Sequence, residues 1–217
     1  MAKSKKIDWL NHGLEFVVVI VGILLAFQLD SCRQEKQNDL LVDQHMENLI
    51  SECRINLEMV DAAIVRGENS QKNLGKLLGF IAMEKEWDSI NALSMGQLDF
   101  VSVYLKRNAY ESLIQSGDVR FIKDFELKND IINLYEYFRW TDAYEEINLE
   151  VFSSYYLPYV MNEFDLFQLS TQSPETYKDP RFKNALGTMN FQSAARMEKY
   201  KETQAKISAF LDKYATP

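Results

Sequence analysis

The sequence predicts an all-α protein, with a single N-terminal transmembrane helix continuing into an extracytoplasmic helical bundle of four to five main helices. Three observations carry this expectation. Only 8 glycines and 4 prolines punctuate 217 residues, too few turn formers for a many-stranded sheet. Apolar residues recur three and four apart through most of the chain, the period of a helix face. Finally, Phe16–Leu29 reads FVVVIVGILLAFQL, with Gln28 its only strongly polar member.

That run is the first element. Fourteen residues rise about 21 Å as a helix, short of a ~30 Å hydrocarbon core. The stretch extends back through Leu14, Leu10, Trp9 and Ile7, and from Ile7 to Leu29 the rise is roughly 34 Å, enough to cross. Trp9 falls where an interfacial aromatic sits, and Lys3, Lys5 and Lys6 lie just outside. The positive-inside rule then keeps the N-terminus cytoplasmic. The expected organisation is a cytoplasmic tail over 1–8, a transmembrane helix over 9–29 and a periplasmic domain over 30–217, with the anchor in a bacterial inner membrane. Two processing alternatives compete with a retained anchor. A basic start and a short apolar core also describe a cleaved signal peptide, although no Ala-x-Ala site follows Leu29. Leu29-Asp30-Ser31-Cys32 loosely resembles a lipoprotein signal ending at Cys32, with Asp30 a poor match.

Beyond the membrane, no Pro or Gly interrupts Ser31–Arg66, and Leu49, Cys53, Val60 and Ile64 form a helical stripe. A stalk helix is expected there, ended by Gly67. Ser70 to Met83 reads as a second helix. Asp88 or Ser89 caps a short piece around Ile90–Leu93 before a Gly96 turn. Asn108–Ser116 is a short helix closed by Gly117 in the left-handed conformation. Asp124 opens a long helix that ends near Leu157-Pro158, where proline forbids the interior bond. After a polar loop, Pro180 suits a first helical turn, and a last amphipathic helix runs from about Phe191 to Tyr214.

The net charge is −8. Residues 1–15 hold three lysines against Asp8 and Glu15, or +1, so the rest carries −9. An acidic domain without a clustered basic surface argues against nucleic acid. Cys32 and Cys53 are 21 residues apart on one expected helix, roughly 31 Å, and cannot pair with each other.

Candidate functional residues fall in three places. On the anchor, Glu15, Gly22 and Ala26 share one sector of about 80°. Gly22 and Ala26 form a small-xxx-small pair that lets helices approach, and a charged Glu15 at that depth seeks a partner or snorkels. Membrane lipid, a second copy of the chain or another membrane protein are the expected partners. Tyr110, Ser112, Gln115, Ser116 and Gly117 could form a polar ligand patch, with tight-turn packing the simpler reading. Tyr155, Tyr156 and Tyr159 beside Pro158 could line an aromatic groove, with core packing the simpler reading. Asp142 and the Glu145-Glu146 pair could hold a cation, but carboxylates on a helix read as a solvated face.

The anchor Gly13-Leu-Glu15-Phe-Val-Val-Val-Ile-Val-Gly22-Ile-Leu-Leu-Ala26-Phe-Gln28-Leu resembles an uncharacterised bacterial family, the "domain of unknown function 6090" group. Its members carry Gly-Glu, a Val/Ile-rich run and Gly-Ile-Leu-Ile-Ala-Leu-Gln. A second block, Ala109-Tyr-Glu-Ser-Leu-Ile-Gln-Ser-Gly117-Asp followed by Ile122 and the Leu127–Tyr137 helix, is similar to the family's Ser-Gly turn and aromatic-ended helix. Relatives place Asn and Trp where Asp30, Ser31 and Cys32 stand, which weakens the lipoprotein reading. The resemblance implies a membrane-anchored protein and supplies no activity.

The only histidines, His12 and His45, fall on opposite sides of the expected membrane, which disfavours His-based triads and zinc sites. No phosphate loop or dinucleotide fingerprint is present. The expectation is a non-enzymatic protein without a cofactor: a structural or interaction module of the cell envelope or, alternatively, a sensory or small-ligand-binding module that signals through a partner.

Overall fold

The computed structural model describes residues 9–85, 87–171 and 173–215, without the side chains of 10–12. Lys3, Lys5, Lys6 and Ile7, and with them the tail over 1–8, lie outside the described residues. Among the described residues six α-helices form: α1 (Trp9–Ala82), α2 (Trp87–Gly96), α3 (Asn108–Gln115), α4 (Phe125–Val151), α5 (Leu157–Glu163) and α6 (Pro180–Tyr214). A two-residue antiparallel pair, Phe164–Asp165 with Ser170–Thr171, is the only sheet among the described residues. The all-α expectation holds.

α1 differs most from the sequence reading. It is one helix of 74 residues, roughly 110 Å long, and it absorbs both the stalk and the separate second helix expected over Ser70–Met83. Gly67 does not end it. A Cβ built on Gly67 would fall on the Met197 thioether of α6, so the glycine is where two long helices approach closely. A capping glycine and a close-approach glycine look alike in sequence, and the deciding contact is 130 residues away.

Side-chain bonds set the directions. Tyr135 on α4 donates to Glu52 on α1, while Lys123, just before α4, reaches Glu35. Leu74 and Leu77 share a core with Phe152 and Tyr156. α4 therefore runs parallel to α1, away from the apolar N-terminal segment. α6 returns antiparallel: Lys201 pairs with Glu68, Gln204 with Asp61 and Lys213 with Glu126. The descent needed between α2 and α3 is an extended segment in which Val101, Val103 and Leu105 are buried and Ser102 and Tyr104 are exposed. Among the described residues it has no strand partner, and side chains bond part of its backbone. The buried Asn56 carboxamide donates to Lys106 O (2.9 Å) and accepts from Lys106 N (2.8 Å), while Glu145 accepts from Val103 N. Buried amides left unmade would each cost about 1–3 kcal/mol.

Local signals explain several ends. Asp124 caps α4, its Oδ1 accepting from the amides of Glu126 and Leu127. Gly117 adopts φ 76° after α3, as expected. Pro180 opens α6 behind the Asp179 cap, so α6 starts well before Phe191. Pro158 corrects another expectation, because the rod does not end there. Phe152–Tyr156 is a π turn in which Leu157 N donates to Phe152 O, and α5 continues beyond it. The wider turn opens the backbone where a proline ring would otherwise press on the carbonyl of Ser154.

Two cores result. The one nearer the apolar segment joins Leu49, Cys53, Val60, Tyr110, Leu113, Tyr135, Phe138 and Ile207. The far one joins Leu77, Ile90, Tyr156, Tyr159, Phe164, Tyr177, Phe182 and Leu186. Cys53 fills the first as a small hydrophobe, and burial pushes its thiol up to about 12. Cys32 is exposed on the same helix.

Candidate functional site

The apolar start of α1 is long and apolar enough to cross a membrane, and none of that stretch is buried in the chain's own fold. Glu15, Gly22 and Ala26 lie on it, all exposed. A Cβ at Gly22 would meet nothing within 4 Å, so the helix surface at Gly22 is open to lipid or to another helix.

At the opposite end, α5 and α6 enclose a groove of about 740 Å³. Tyr155, Pro158 and Tyr159 line one side, Arg181, Asn184 and Thr188 the other, with Val151 and Ala185 between. Asp179 holds Arg181 at 2.6 Å, and the guanidinium lies 5.4 Å from the Tyr159 ring. Arg181 in turn keeps the Asp179 carboxyl down at about 2. Of the three tyrosines expected together, two meet here. Tyr156 turns into the core and donates to Ser94 O at 2.6 Å. Tyr159 lines the groove with its ring while its hydroxyl donates to Thr176 O. Helical spacing accounts for the split: Tyr155 and Tyr159, four residues apart, share a face, and Tyr156 points to the side of it.

The five residues of the expected polar patch do not converge. Tyr110 is buried and stacks on Tyr135 at 4.5 Å. Ser116 donates to Leu113 O and accepts from Asp118 N, closing the turn at Gly117. Ser112 and Gln115 face solvent. Next to them His45 on α1 meets Asp118 at 3.0 Å.

Sequence reasoning missed a buried charge between the two cores. Arg196 on α6 is 5% exposed, flanked by the Phe100 ring at 4.7 Å and the Tyr200 ring at 6.0 Å. Its Nη1 lies 3.7 Å from Glu145 Oε2, beyond hydrogen-bond range. Glu145 is thus not on a solvated face; it turns inward and accepts from Val103 N and from the Tyr200 hydroxyl. Burial pushes its carboxyl up to about 7, against the pull of Arg196 and the Val103 amide. Asp142 points outward to Arg107 at 2.8 Å. One turn along α6, the Lys199 ammonium sits 3.4 Å from the Trp140 ring centroid and 4.6 Å from that of Tyr137, and bonds Glu202 at 2.6 Å. The available signal was positional: Arg196 and Thr203 stand on the α6 stripe of Tyr200, Ile207 and Phe210, where apolar residues are expected.

Among the described residues no group of three or more His, Cys, Asp and Glu side chains is placed to hold a metal ion. Comparisons of the chain with family models, with curated proteins and with solved structures find no match.

Proposed function

We propose that this protein is a single-pass, membrane-anchored interaction module of the bacterial cell envelope, acting through its helical domain and the packing of its anchor. The observation that carries this is α1. A single uninterrupted helix contains both the exposed apolar run and the stripe that nucleates both cores. Among the described residues its apolar run has no cover, and burying it in lipid recovers the hydrophobic free energy that exposure to water forfeits. The missing Ala-x-Ala site after Leu29 and the poor match of Asp30 to a lipoprotein signal favour a retained anchor over a cleaved leader or a lipidated Cys32. The Lys3/Lys5/Lys6 cluster supports a cytoplasmic N-terminus and a periplasmic domain. The anchor's resemblance to the "domain of unknown function 6090" group fits the same reading. Because α4 runs parallel to α1, the α5–α6 groove sits at the end of the domain farthest from the anchor, where a partner can reach it.

A second reading, an extracytoplasmic small-ligand-binding module, is favoured by one observation: the groove's volume falls within the range of ligand sites and it mixes tyrosine faces with convergent polar groups. Alkaline phosphatase and green fluorescent protein fused after residue 217 test the primary reading. The phosphatase fusion is expected to be active and the fluorescent fusion dark; the opposite pattern overturns the periplasmic placement.

A further inference from the structure

We propose that a small cavity between α1, α4 and α6 binds one inorganic anion of halide size, held by the Arg196 guanidinium and taken up together with a proton on Glu145. The site does not depend on α1 crossing a membrane. Arg196 is the first argument. It is 5% exposed, yet its Nε and Nη1 are buried without a hydrogen-bond partner among the described residues. A guanidinium stays charged throughout the pH range of a folded protein. Once buried, it demands both acceptors for its N–H groups and a compensating charge. The Phe100 ring at 4.7 Å supplies neither in full. Glu145 Oε2 stands 3.7 Å from Nη1 and is itself buried without a hydrogen-bond partner.

The cavity is the second argument. Arg196 lines a space of about 30 Å³ with Ser70 of α1, Gln97, Asn148 of α4 and Ser193 of α6. These hydroxyls and carboxamides add neutral donors around the guanidinium. One water needs roughly 10–15 Å³, so the space suits a halide or about two waters and is too small for an organic carboxylate. Waters would satisfy the N–H groups but leave the charge; an anion answers both. Asp99 also lines the space, but its side chain is 75% exposed and pairs with Arg66 of α1 at 3.0 Å. Asp142 of α4 turns away to Arg107. The carboxylate whose charge acts on Arg196 is Glu145.

Glu145 supplies the coupling. Its Oε1 accepts from both Val103 N and the Tyr200 hydroxyl, which leaves Oε2 to take the proton, and burial favours the neutral carboxyl. Ionised, Glu145 compensates the guanidinium and repels an anion. Protonated, it leaves the guanidinium to the anion and turns Oε2 into a donor. Proton and anion therefore strengthen each other's binding.

The test follows chloride NMR line broadening by the full chain in a non-ionic detergent, with sodium gluconate holding the ionic strength. Saturable broadening is expected, about tenfold tighter at about pH 5.5 than at about pH 8, the ratio that follows if binding requires a Glu145 proton held with a value of about 7. Glu145→Gln should bind alike at both pH values, as tightly as wild type at the lower one. Arg196→Met, its helical fold checked by circular dichroism, should lose the broadening. No saturable broadening in wild type at either pH means that the cavity holds water only, and overturns the site. Unchanged affinity in a folded Arg196→Met chain overturns it equally. Equal affinity of wild type at both pH values, or a pH dependence that survives in Glu145→Gln, overturns the coupling. Should Arg196→Met fail to fold, the Glu145→Gln comparison decides alone.

Discussion

Glu145→Gln distinguishes two opposing accounts of the buried charge between the cores. In the folded chain burial raises the carboxyl from an ordinary 4.5 to about 7. A group with a raised folded pKa stabilises fully below its unfolded pKa, and that stability is lost as pH rises through the folded value. Here the window runs from 4.5 to about 7, and at 1.36 kcal/mol per unit the loss is about 3 kcal/mol. Glutamine resembles the protonated carboxyl and keeps an acceptor for Val103 N and the Tyr200 hydroxyl. The variant should match wild type at about pH 4 and exceed it by about 3 kcal/mol at about pH 8. The competing term is Arg196, which keeps its charge throughout; breaking a tightly made buried pair costs about 3–5 kcal/mol. The 3.7 Å separation is too long for a charge-assisted hydrogen bond, so desolvation is expected to win. Urea melts of the detergent-solubilised full chain, followed by tryptophan fluorescence at both pH values, decide it. A variant less stable than wild type at the higher pH would refute the reasoning and make the carboxylate–guanidinium attraction dominant.

Three further outcomes follow from the packing. Gly67→Ala gains about 1 kcal/mol of helix propensity but drives a methyl into Met197, and overpacking of about 1–3 kcal/mol should leave it net destabilised; adding Met197→Ala should reverse the sign of the Gly67→Ala step in a double-mutant melt. Asp124→Ala should cost about 1 kcal/mol through loss of the α4 cap, read as a lower urea midpoint with unchanged slope. Gly22→Ile should abolish the Cys32-dependent dimer that mild oxidation of native membranes yields if the Glu15/Gly22/Ala26 face packs; equal crosslinking in both chains removes that face.

Where a signal is local, the sequence was a sufficient guide. Asp124 reads as a cap because its carboxylate needs only amides two and three residues on. Gly117 reads as a left-handed turn, and the Leu49–Ile64 stripe reads as an inward face. Where the deciding partner is remote, it was not. Gly67 looked like a stop because Met197 cannot be seen from it. Pro158 looked like an end because a π turn leaves no composition mark. Val101, Val103 and Leu105 alternate with Ser102 and Tyr104, a strand-like period of two, yet the segment pairs with the side chains of Asn56 and Glu145 and joins no sheet. Glu145 read as solvated because Arg196 lies 51 residues away. The groove was half legible: proline beside clustered tyrosines marked the place and the four-residue spacing of Tyr155 and Tyr159 puts them on one face, but the Ser94 carbonyl that holds Tyr156 inward is 62 residues away.

The central claim is that α1 remains whole and holds the domain to a bilayer. Alkaline carbonate extraction of membranes containing the untagged chain, followed by intact-mass and N-terminal analysis of the pellet, tests it most directly. The account predicts that the protein stays in the pellet at its full mass of 25.3 kDa, with the N-terminal segment attached. Release into the supernatant, or a pelleted chain that begins at or beyond Cys32, would contradict it.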